Sequence, residues 1–136
     1  MPAFLRIEIF PSDMQRSIDF YTQVLRFNLL RHEDDYAYFQ RDGIFIGALV
    51  GPDAHHPQGA ISAKREYRLA PTGVEIVMEV DDLEKERELV VHTGWALDAD
   101  VKLQSWGLRD FRVIDPDGYY LRITEHSTEG HGKGEV

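Results

Sequence analysis

The residues able to do chemistry in this sequence are spaced in charged sets with aromatic residues between them. Arg6 and Glu8 lie two apart near the start, Glu75 and Glu79 follow in the middle, and Arg122 comes late. Arginine suits planar, carboxylate-like groups, whereas glutamate suits amines and guanidines, so these residues either pair with one another or orient a polar ligand. Trp106, Phe45 and Tyr120 are the flat or apolar candidates for ligand walls. An aromatic in a strand connection such as Trp106 also serves as a packing plug, and both roles stay open. His55-His56 has the look of a metal pair but sits beside Pro57 in an irregular stretch, which reads as a polar loop. His126 and His131 lie towards the C-terminus, and no Ser-His-Asp arrangement adjoins them. No catalytic residue is assigned. The 136 residues include no Cys, so disulfides, thiolate metal sites, iron–sulfur clusters and Cys nucleophiles are all excluded.

The elements that must position these residues show in the hydrophobic pattern. Residues 4–10 alternate, with Leu5, Ile7 and Ile9 apolar against Arg6 and Glu8, which predicts a strand. Pro11 ends it, Ser12-Asp13 offers capping oxygens, and Ile18, Tyr21 and Leu25 recur at helical spacing over residues 14–25. Three strand-like runs follow at 27–31, 36–40 and 44–50, the last two joined by an Arg41-Asp42-Gly43 turn. The second half repeats this order: a strand at 74–80, a helix from Leu83 to about Thr93 capped by Asp81-Asp82 and stopped by Gly94, and strands at 97–104, 108–114 and 119–125. Its last turn, Asp115-Pro116-Asp117-Gly118, echoes Arg41-Asp42-Gly43. Two copies of one βαβββ unit is the most informative feature of the chain.

This predicts an α+β protein: a single domain over 1–136, with a first module at 4–50, a linker at 51–73, a second module at 74–126 and a flexible tail at 127–136. A formal net charge of -9 argues against binding a nucleic-acid backbone. No apolar run approaches the roughly 20 residues a bilayer demands, and charges at Arg6 and Glu8 interrupt any signal-like stretch. A soluble, cytoplasmic protein is expected.

Only one face of each sheet is needed for the core. Leu5, Ile7 and Ile9 are expected to meet the first helix, and Ile76, Met78 and Val80 the second. The opposite face carries Arg6, Glu8, Glu75, Glu79 and Arg122 among Phe45, Leu49, Val77 and Tyr120. That face is either a solvated exterior or a binding surface; large apolar residues mixed with opposite charges suit binding better.

The segment Ser12-Asp13-Met14-Gln15-Arg16-Ser17-Ile18-Asp19-Phe20-Tyr21, with Val24-Leu25, resembles the first helix of the vicinal oxygen chelate superfamily. That superfamily includes glyoxalase I, bleomycin-resistance proteins, fosfomycin-resistance enzymes and extradiol dioxygenases. Residues 106–122, from Trp106-Gly107 through Asp115-Pro116-Asp117-Gly118 to Arg122, resemble the end of its second module, in the manner of the bleomycin-resistance-like branch. The resemblance spans roughly residues 4–126 and implies two βαβββ modules whose strands curl into an open, cup-like mixed sheet with helices on the outer face. It also implies a homodimer, with ligand cups at module or subunit interfaces.

In metal-dependent members, a ligand precedes the first capping Asp by seven positions, which is Arg6 here. The others fall near Gly47, at Glu75, and four residues after the Asp-Pro-Asp-Gly glycine, at Arg122. Three of the four cannot coordinate a divalent cation, and two arginines would repel it. No metal and no cofactor are expected. Glu75 is expected to take one or both of Arg6 and Arg122 as partners.

The function expected on these grounds is metal-independent binding of a small molecule, a drug or metabolite that is amphipathic and partly aromatic. Arg6, Glu8, Phe45, Glu75, Trp106, Tyr120 and Arg122 are the candidate ligand-binding residues. The alternatives are a glyoxalase-like lyase or isomerase, or a metal-independent relative with Glu75 as general base. An accessory or regulatory module is a third reading, resting only on the linker.

Overall fold

A computed structural model describes residues 2–50 and 74–127. The linker at 51–73, with His55-His56, and the tail from 128 onward lie outside the described residues. The chain divides into two compact units, residues 1–72 and 73–136, and each builds its own sheet.

The first unit comprises β1 (Ile7–Ile9), α1 (Met14–Asp19), a π-helical turn (Phe20–Val24), β2 (Asn28–His32), β3 (Tyr36–Arg41) and β4 (Ile44–Leu49). Its sheet runs β1-β4-β3-β2, with β1 parallel to β4 and the other pairs antiparallel. Strand β1 is shorter than its alternation predicts. It pairs with β4 only from Ile7↔Ile46 to Ile9↔Ala48, so Arg6 and Leu5 stand outside the ladder although β4 runs back to Ile44. Leu5 therefore stays 76% exposed instead of meeting the helix. The predicted helix over 14–25 also changes character after Asp19: Leu25 N–H reaches Phe20 O at 3.1 Å, the wider π-type bond. This widened turn keeps Phe20, Tyr21, Val24 and Leu25 all buried. The Tyr21 ring meets Phe20 and Phe27 edge-on, with centroids 4.9 and 5.9 Å away. Helix α1 lies on β3 and β4, with Ala37, Phe39, Ile46 and Ala48 beneath it in the core.

The second unit repeats the plan: β5 (Ile76–Val80), α2 (Leu83–His92), β6 (Ala99–Leu103), β7 (Arg109–Ile114) and β8 (Tyr120–Glu125), in sheet order β5-β8-β7-β6. Both units are thus open four-stranded mixed sheets with a helix on one face, the α+β class expected from the repeat. Each helix is capped as its sequence predicts. Asp13 accepts from Arg16 N–H and Asp82 from Lys85 N–H, both at 3.1 Å. Two arginines tie α2 to the sheet: Arg109 bridges Glu84 and Glu125, and Arg87 grips Asp100 through bonds of 2.7 and 2.9 Å. The hydrogen bonds from Arg87 hold the Asp100 carboxyl down to about 2. Val74, like Leu5, falls outside its strand and is 70% exposed, because β5 begins pairing only at Ile76↔Leu121. No helix among the described residues is long and apolar enough to cross a membrane.

The β7–β8 turn depends on a buried side chain. Asp115 accepts from Asp117 N–H at 2.8 Å and Tyr119 N–H at 2.9 Å, and Gly118 takes φ 96°. Asp115→Ala strips the turn of the one oxygen that accepts both bonds and is expected to lower stability by about 2 kcal/mol in urea unfolding.

Candidate functional site

Each sheet has a second face, away from its helix. In the first unit, β1 presents Glu8, β3 presents Tyr36 and Tyr38, and β4 presents Phe45 and Gly47. Tyr36 Oη donates to Glu8 Oε2 at 2.9 Å, and Arg6 Nε reaches the same oxygen at 2.8 Å. The Arg6 guanidinium also sits 5.8 Å from the Tyr38 ring centre, and Tyr38 stacks with Phe45 at 6.3 Å. Burial, and then the hydrogen bond and charge of Glu8, push the Tyr36 phenol above its ordinary 10.0. Its neutral form is therefore favoured by folding, so its contribution holds below that ordinary value and is lost as pH rises through the raised one.

The second unit presents Val77 on β5, Asp110 and Arg112 on β7, and Tyr120, Arg122 and Thr124 on β8, with Arg112 paired across to Arg122. Two neighbouring arginines require counter-charge. Glu75, just before β5, supplies part of it: Oε2 meets Arg112 Nη1 at 3.2 Å and Oε1 meets Arg122 Nε at 3.0 Å. Asp110, its side chain 1% exposed, supplies the rest, 3.4 Å from Arg112 and 3.9 Å from Arg122. Gln104 Nε2 donates to Asp110 Oδ1 at 3.0 Å. Arg122 lies 5.4 Å from the Trp106 ring and Arg112 5.8 Å from the Tyr120 ring. Hydrogen bonds to Tyr120 and then Asp110 outweigh burial and raise the Arg112 pKa, keeping the guanidinium charged.

Of the sequence-derived candidates, Glu75, Arg122, Trp106 and Tyr120 gather in the second unit, and Arg6, Glu8 and Phe45 in the first. The expected Glu75–Arg122 pair is present, while the partner found for Arg6 is Glu8. Asp110, Arg112, Tyr36 and Tyr38 were not among the candidates. Alternation alone puts Asp110 and Arg112 opposite the core residues Phe111 and Val113, but only strand pairing brings them to Arg122.

Residues 3–123 match the family model of the Glyoxalase/Bleomycin resistance protein/Dioxygenase superfamily. The chain belongs to that superfamily. Lactoylglutathione lyase of Escherichia coli O157:H7 is 29% identical over 126 residues, covering 90% of this chain and 91% of that protein. Among solved structures, TioX from Micromonospora sp. ML1 matches with a TM-score of 0.76 at 18% identity, over 93% of this chain and 100% of that one. A bleomycin resistance determinant encoded on the transposon Tn5 matches at 0.68 and 17% identity, over 93% and 99%. These two structures speak for the fold.

The superfamily resemblance raises a metal, and the residues at the implied ligand positions do not fit one. Arg6 and Arg122 are cations already engaged with carboxylates. Gly47 has no side chain to donate, and the space a β-carbon would take is filled by Glu8 Oε2 and Tyr36 Oη, which would have to move aside. Glu75 is spent on two arginines. Among the described residues, no three His, Cys, Asp or Glu side chains are placed to hold a metal ion. Gly47→Ala is expected to break the Tyr36–Glu8 bond and cost about 1–2 kcal/mol. Urea unfolding of the Gly47→Ala, Glu8→Ala and double variants checks this: the glycine change should cost much less once Glu8 is gone.

Proposed function

We propose that this superfamily member binds a small molecule, a drug or metabolite that is amphipathic and partly aromatic, without a metal and without chemical turnover. The observation that carries this reading is that two of the implied ligand positions, Glu75 and Arg122, are tied into an arginine–carboxylate network bordered by Trp106 and Tyr120. Convergent polar groups beside flat rings suit recognition, and nothing in the network is an activated nucleophile. The candidate ligand-contacting residues are Arg6, Glu8 and Phe45 in the first unit and, in the second, Glu75, Trp106, Tyr120 and Arg122, joined by Arg112. The favoured macromolecular partner is a second copy of this chain, paired along exposed sheet edges such as β2. A soluble cytoplasmic setting suits such a role.

A lyase or isomerase related to lactoylglutathione lyase is the second reading, favoured by the 29% identity. As a general base Glu75 is poorly suited, since two bound guanidiniums stabilise its ionised form.

Elemental analysis of the purified protein and a thermal-shift screen of flat aromatics, amines, carboxylates and glutathione conjugates separate the two readings. Binding predicts less than stoichiometric Zn, Ni, Mn or Fe, no effect of EDTA on the thermal midpoint, and stabilisation by a flat aromatic. Trp106→Ala should weaken that aromatic by about 1–3 kcal/mol with little change in folding, since Trp106 is 55% exposed. One tightly bound transition metal per chain, with hemithioacetal isomerisation, contradicts the proposal.

A further inference from the structure

Glu75 and Asp110 both neutralise Arg112 and Arg122, but they are held very differently. Asp110 lies within β7, is 1% exposed and takes a further bond from Gln104, so it is a fixed part of the sheet. Glu75 precedes β5, outside the strand ladder, and its side chain is 31% exposed. Each of its two carboxylate oxygens faces a different arginine, Arg112 at 3.2 Å and Arg122 at 3.0 Å. That arrangement is a two-guanidinium clamp on a planar oxyanion, each arginine giving one charge-assisted hydrogen bond to its own carboxylate oxygen. The clamp is bordered by rings, Trp106 beside Arg122 and Tyr120 beside Arg112.

We propose that Glu75 is an exchangeable plug in a clamp for aryl carboxylates: a ligand carboxylate takes its place on Arg112 and Arg122 while the ligand ring lies against Trp106 or Tyr120. This rests on the small-molecule binding reading and names its ligand class. Charge decides the class. With Glu75 seated, two arginines face two carboxylates and the cluster is neutral. When Glu75 swings out, one positive charge is left over, and a monoanion restores the balance. The exchange conserves the arginine hydrogen bonds, and the displaced Glu75, already reaching solvent, regains water. An aryl ammonium ion gains nothing comparable, since pairing with Glu75 would strip both arginines of their partner.

The test uses the full chain, at low ionic strength to limit screening, with two probes that share a ring, 2-naphthoate and 2-naphthylmethylammonium. Titration calorimetry should show saturable binding of naphthoate and none of the amine. Glu75→Gln should tighten naphthoate at least tenfold, by removing the competing carboxylate, and Arg122→Met in that background should reverse the gain. Should Glu75→Gln fail to fold, the wild-type chain still decides, because naphthoate must shift the Arg122 Nε–Hε and Arg112 Nη–Hη resonances in ¹⁵N-resolved spectra, the groups that hold Glu75. Absence of those shifts overturns the clamp, as does an unchanged naphthoate affinity in Glu75→Gln. Equal binding of both probes, dependent on Trp106, also overturns it while leaving small-molecule binding in place. Failure of every ring in the thermal-shift screen removes that binding function itself.

Discussion

A carboxylate almost fully removed from water governs the second unit. Asp110 sits on β7 with its side chain 1% exposed, and an unpaired charge in that position would cost several kcal/mol. Gln104 gives it one hydrogen bond, but charge must be met by charge, and Arg112 and Arg122 are drawn over it from β7 and β8. Two arginines on one carboxylate leave a positive excess, which Glu75 cancels from the chain just before β5. The positions of Trp106 and Tyr120 beside the guanidiniums follow from the same demand, since a guanidinium over a ring face keeps favourable company without a further anion. One buried charge thus accounts for the pairing of Arg112, Arg122 and Glu75 on this sheet face.

The first unit answers the same scaffold differently. Arg6 and Glu75 each stand seven positions before their capping aspartates, and Gly47 and Arg122 each stand four after their turn glycines. At the glycine the sheet has room, and Glu8 with Tyr36 fills it; at the arginine the side chain itself fills the face. The repeat therefore preserves strand order, helix placement and caps while the chemistry of the exposed faces diverges. Scaffold and site are separable in this chain, as they are across folds in general.

Much of the scaffold was legible in the sequence because it rests on local signals. Period-two alternation marked β1 and β5, strand-like runs marked the others, Asp13 and Asp82 marked the helix starts, and the two glycine turns marked hairpins. The ends of β1 and β5 were not legible, since alternation continues into Leu5 and Val74 although the parallel ladders begin only at Ile7 and Ile76. The π-helical turn was hidden too: spacing placed Tyr21 and Leu25 on one face correctly, but the wider hydrogen bond is set by packing all four apolar side chains at once. In the site, Glu75, Arg122 and Trp106 were recognisable by residue type. Their neighbours Asp110 and Arg112 became visible only through the pairing of β7 with β8, a long-range fact that no local pattern carries.

Asp110 offers the most direct trial of this charge-compensation account. The measurement is a double-mutant cycle in urea unfolding on Asp110→Asn, Arg122→Met and their combination. With Asp110 neutral, two arginines face Glu75 alone, so the single change should cost about 3 kcal/mol. Removing Arg122 as well restores one cation against one anion, and the double variant should be more stable than the sum of the singles predicts by at least about 1 kcal/mol. Strictly additive losses, or an Asp110→Asn chain as stable as the wild type, would contradict the account.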